Sequence, residues 1–193
     1  LSVVHSPAPC GLFLWCRMLR PLIRPIVRPL VRGVTEPGYG SLAAQIRLLF
    51  ASGEQGAWYD PSDLSSMNTK HDGSGAVPGV GDPVGYIADK SGRGNHAKQT
   101  TDTARPTLQL ASGRYYLQFD GVDDFLRTAA IDFTGTDKMT VVAGVRKEVD
   151  GTSGTLVELN EGALGTAGVR LQAPGGGTEK YTWSSRGTGA NVY

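Results

Sequence analysis

Two short stretches of this chain concentrate the side chains that could hold a cation or shape a ligand site. The first is Asp89-Lys90-Ser91-Gly92-Arg93-Gly94-Asn95-His96 and the second is Asp120-Gly121-Val122-Asp123-Asp124. Asp89, Ser91 and Asn95 in one loop, and Asp120, Asp123 and Asp124 in the other, offer the hard oxygen donors that calcium takes about six to eight at a time. Asp89-x-Ser91-x-Arg93-Gly94 opens like a calcium loop, but Arg93 stands where a third acid belongs and no distal glutamate follows. Calcium is therefore a candidate cofactor, with Asp89, Asp120, Asp123 and Asp124 as candidate ligands. The same side chains can also close turns on their own backbone, which needs no metal. Trp58, Tyr86, Tyr181 and Trp183 are the aromatics that could stack on sugar rings, at an alternating spacing that core packing also uses.

Catalysis finds less to work with. No Gly-x-Ser-x-Gly elbow and no phosphate-binding Gly-x-x-x-x-Gly-Lys is present, and His5, His71 and His96 have no matching nucleophile motif. His96 reads as a loop residue. Glu158-Leu159-Asn160-Glu161 is the nearest approach to the acid pair of a glycoside hydrolase, and its glutamates read as solvated residues near a strand end. Cys10 and Cys16 make no zinc site without further ligands, and the rest of the chain has no cysteine to form a disulfide. No catalytic residue is assigned.

The elements that position these residues follow from periodicity. Residues 114–119 carry enough aromatic and apolar side chains for a strand, Asp120-Gly121 supplies a tight turn, and Phe125-Leu126 returns to the core. Phe119 and Phe125 are expected to be buried, with Asp123 and Asp124 keeping the corner wet. Other candidate strands are 57–59, 84–88, 125–128, 139–146, 155–159, 169–173 and 181–185. The firmest is 139–146, where Met139, Val141, Ala143 and Val145 alternate on one face. Residues 65–82 read as a long glycine-rich loop, mobile or facing a ligand. Ser41 can cap a short amphipathic helix whose Leu42, Ile46, Leu49 and Phe50 form one stripe and which Gly53 stops. That helix is read as the joint that packs a leader onto the domain.

The leader contains a period-four repeat, Arg20-Pro21-Leu22-Ile23, Arg24-Pro25-Ile26-Val27, Arg28-Pro29-Leu30-Val31. Proline at every fourth position forbids a helix and leaves extended or polyproline conformation. If fully extended, one face is wholly apolar, a strip suited to a neighbour's groove or sheet edge. Residues 1–50 hold six arginines and one acid; with 19 basic and 18 acidic residues in all, the remainder holds 13 and 17, a net of −4. A basic leader on a mildly acidic domain follows, and nucleic acid is not an expected partner of the domain. No apolar run approaches the roughly 20 residues that cross a bilayer, so no membrane span is expected. No convincing signal peptide is present either.

The ordered set of Trp58-Tyr59-Asp60-Pro61-Ser62-Asp63-Leu64, the Asp89–His96 run and Phe119-Asp120-Gly121-Val122-Asp123-Asp124-Phe125 resembles the laminin-G-like branch of the concanavalin A-like lectin/glucanase superfamily. More narrowly, it resembles phage and prophage structural proteins, tail proteins among them, in which an Arg-Pro-rich leader precedes such a domain. The resemblance runs from about residue 56 to the last residue. It implies an all-β jelly-roll β-sandwich and binding of carbohydrate or a cell-surface ligand, sometimes with calcium. Strands separated by frequent turn signals point to a sandwich or barrel independently.

Three regions are therefore expected: a leader at 1–40, a helix at 41–53 and a sandwich at 56–193. Met18 is read as the natural start, with 1–17 as an upstream artefact. A strand just beginning at Asn191-Val192-Tyr193 suggests a sandwich cut before its last strands. The functional expectation is a non-catalytic recognition protein at a virion or extracellular surface, held to other virion proteins by its basic N-terminal segment. The alternative is a carbohydrate-active enzyme or its sugar-binding accessory module.

Overall fold

The structure, a computed structural model, describes residues 2–4, 10–12, 41–135, 139–148, 153–160, 168–175, 180–186 and 191–192. Among them the strands run in chain order β1 (Ser2–Val4), β2 (Cys10–Leu12), β3 (Met67–Asn68), β4 (Tyr86–Ile87), β5 (Ala97–Lys98), β6 (Thr107–Ala111), β7 (Arg114–Phe119), β8 (Phe125–Arg127), β9 (Val145–Lys147), β10 (Gly154–Asn160), β11 (Gly168–Ala173), β12 (Thr182–Arg186) and β13 (Asn191–Val192). They form two antiparallel sheets. One has nine strands in the order β13-β12-β11-β10-β1-β8-β5-β4-β3, the other four in the order β6-β7-β2-β9. One α-helix, α1 (Leu42–Leu48), and two short 3-10 turns complete the regular structure among the described residues.

Turn chemistry sets the best-defined pairing. Ser112 and Gly113 both take positive φ, 50° and 73°, the conformation a two-residue hairpin turn demands. Ala111 therefore faces Arg114, and the register runs back through Leu108 opposite Leu117 to Thr107 opposite Gln118. That register puts Leu108 and Leu117 on one face, where both are buried beside Phe119. Met67, Ile87, Ala97 and Leu126 meet them from the nine-stranded sheet, with Val84 among them. The two sheets thus share one core, and full burial of each larger side chain contributes about 1.5–3 kcal/mol. A smaller cluster joins Leu156 and Ala173 to Val145, Val157 and Leu171.

Several expectations are corrected. Residues 57–59 are not a strand, and of 139–146 only Val145 and Arg146 pair, within a strand that runs on to Lys147, although the alternation covered the whole stretch. Met67–Asn68, Ala97–Lys98 and Thr107–Ala111 are strands that sequence periodicity passed over. The 65–82 stretch is pinned rather than loose. Leu64–Ser66 forms a 3-10 turn, Asn68 Nδ2 donates to Gly73 O at 3.1 Å and Gly75 O at 2.6 Å, and Thr69 N donates to Ala76 O. Arg105 ties its far side down through Thr69 O at 3.2 Å and Gln99 O at 3.1 Å. Ser41 caps α1 as expected, accepting from Ala44 N, but of the stripe only Ile46 and Phe50 are half-buried, while Leu42 and Leu49 are exposed.

Residues 1–40 were set apart as a leader, yet two pieces of that span carry sheet ladders. Ser2–Val4 lies between β8 and β10, and Cys10–Leu12 between β7 and β9. The Arg/Pro repeat lies outside the described residues.

Candidate functional site

The two motifs that stood apart in sequence, residues 58–63 and 89–96, are clasped together around one buried carboxylate. Asp89 Oδ1 accepts from Trp58 N at 2.9 Å and Ser91 N at 2.8 Å. Its Oδ2 accepts from Ser91 Oγ at 2.7 Å and Asn95 N at 3.0 Å. Burial works against the charge, but the donors from Trp58, Ser91 and Asn95 outweigh it and hold the carboxyl below the ordinary aspartate range. Four hydrogen bonds occupy the roughly four acceptor positions of a carboxylate. Asp89 is thus the organiser of this loop, its two oxygens engaged by Trp58, Ser91 and Asn95.

The rest of the motif closes around it. Gly92 takes φ +88°, a left-handed turn conformation. Asn95 Nδ2 donates to Gly56 O at 2.7 Å, and the Tyr59 hydroxyl donates to Asn95 O. Burial, with the charge of Asp89 nearby, raises the Tyr59 pKa and keeps the phenol a neutral donor. His96 is more than a loop residue: its Nδ1 accepts from Asp89 N at 3.0 Å, and its ring lies 5.4 Å from that of Tyr86. Lys90 Nζ reaches Asp60 at 3.3 Å and Asp63 at 2.6 Å and stands 5.1 Å from the Trp58 ring centroid. Trp58 is buried under this clasp, so it is no free stacking platform; Tyr86 is half-buried beside His96.

The second acidic loop is built differently. Asp120 Oδ1 accepts from Val122 N at 2.8 Å and more loosely from Asp123 N and Asp124 N. Asp124 Oδ2 accepts from Asp120 N at 2.8 Å, and Gly121 at φ +79° makes the turn. The oxygens of Asp120, Asp123 and Asp124 converge within 4.8 Å, the one group of three metal-ligating side chains among the described residues. Asp123 and Asp120 are exposed, as expected at a turn. Asp124 is buried, which corrects its reading as a wet corner residue, and Phe125 is only half-buried whereas Phe119 is buried. Burial pushes the Asp124 carboxyl up to about 6, and the charges of Asp120 and Asp123 add to the rise against the Asp120 N–H.

That shift has a pH signature. With its folded pKa above the unfolded one, Asp124 takes up a proton on folding between about pH 4 and 6, so its contribution falls as pH rises through that window. Asp124→Asn keeps an acceptor for Asp120 N and removes the charge. The variant is expected to gain on the order of 1 kcal/mol at pH 7 and nothing at pH 4, measured by urea unfolding. Equal stability changes at both pH values would contradict the assignment.

Glu158 also departs from its expected place. It is a buried strand residue on β10, directly opposite Arg170 on β11, and the two form an ion pair at 3.2 Å. Glu161, the other glutamate of that segment, lies outside the described residues.

Among the described residues Tyr181 and Trp183 are the exposed aromatics, Tyr181 just before β12 and Trp183 within it. Trp183 pairs with Leu171, which pairs with Val157, so the three share one face of the nine-stranded sheet. Trp58 and Tyr86 belong to the clasp, in which β4 lies near the opposite end of that sheet from β12. The four aromatics therefore form no single platform.

The fold defines an all-β protein of two antiparallel sheets sharing a core. No family model, no curated protein and no solved structure matches the chain.

Proposed function

We propose that this chain is a non-catalytic recognition protein on a concanavalin A-like, laminin-G-like jelly roll, displayed on a virion and binding carbohydrate or another cell-surface ligand. The observation that carries the ligand-binding part is the exposed pair Tyr181 and Trp183 beside Leu171 and Val157. Flat apolar rings with a polar tip suit the faces of sugar rings. The use of Asp89 and Glu158 in internal bonding supports a binding role over hydrolysis. The sequence resemblance supplies the virion setting.

Tryptophan emission titrated with bacterial surface polysaccharides tests the reading. Trp183→Ala is expected to weaken binding about 5- to 10-fold, the equivalent of roughly 1–1.4 kcal/mol for one lost aromatic contact. Unchanged affinity in both Trp183→Ala and Tyr181→Ala would remove the platform from consideration. Turnover of any bound polysaccharide would move the assignment to a carbohydrate-active enzyme.

Calcium at Asp120, Asp123 and Asp124 belongs to the same proposal. Added calcium should raise the melting temperature of the parent chain and leave Asp124→Asn unmoved.

The Arg/Pro repeat is the proposed attachment to other virion proteins. Because Ser2–Val4 and Cys10–Leu12 carry ladder bonds, the informative deletion is internal. A chain lacking residues 18–35 should melt with the parent but fail to join virions. Collapse of the fold on that deletion would place the repeat inside the domain instead.

A further inference from the structure

We draw no further inference here: the strongest candidate, the exposed Leu42, Leu48 and Leu49 of the short helix and its C-terminal cap, has nothing in the structure to show what covers it.

Discussion

Asp89→Ala is expected to destabilise the protein by about 3–5 kcal/mol, the range reached when a buried hydrogen-bonded charge is removed and its donors are stranded. The carboxylate receives donors from three backbone amides, Trp58, Ser91 and Asn95, and from the Ser91 hydroxyl. Removing it leaves Trp58 N without its acceptor next to a buried indole and frees the loop that holds Asn95 against Gly56 and Tyr59. Asp89→Asn should recover little, because its amide nitrogen would point a donor at donors. The sign with pH follows from the lowered carboxyl: this stabilisation is present above the unfolded aspartate range and is lost as pH falls through the folded pKa. Urea unfolding with Trp58 emission as the probe measures it. A loss below about 1 kcal/mol would mean that the clasp closes without its carboxylate.

This clasp was half legible in the sequence. Both stretches stood out, one as Trp58-Tyr59-Asp60-Pro61 and the other as Asp89-x-Ser91 with Asn95, and turn-closing bonds were among the readings. What the sequence does not carry is their meeting. The bond from Trp58 N to Asp89 spans 31 residues, and no local pattern records a partner that far away. The strand pattern divides in the same way. Arg114–Phe119 has enough alternating bulk to be read directly, whereas Met67–Asn68 and Ala97–Lys98 are two residues long and leave no period to detect. Residues 139–146 show the opposite failure, a clean alternation in which only Val145 and Arg146 find a ladder partner, β2. Periodicity reports which face is apolar; pairing depends on a neighbour.

Burial of charge was the other blind spot. A pair of adjacent aspartates at a turn looks uniformly wet, yet the backbone returns Asp124 to Asp120 N and exposes Asp123. Glu158 was read as a solvated residue because its Arg170 partner arrives from the next strand, on the far side of residues 161–167.

Phe119→Ala is the second large effect, an expected loss of about 3–5 kcal/mol from the cavity and the lost transfer of the ring. Phe119 ends β7 and belongs to the cluster where Leu108 and Leu117 of one sheet meet Met67, Ile87 and Leu126 of the other. The ring therefore contributes to both sheets' contact with the shared core, and the neighbouring ladders limit how far the site can collapse. Asp123→Ala is its control, four residues along the chain and exposed. Asp123 adds its negative charge to the corner, so its removal should change stability at pH 7 by no more than about 0.5 kcal/mol, with relief of repulsion the favoured sign. Guanidinium unfolding of both variants decides the matter. A mild Phe119→Ala would mean that the sheets do not share the core described here, and a costly Asp123→Ala in the absence of calcium would mean that this exposed carboxylate does more than add charge at the turn.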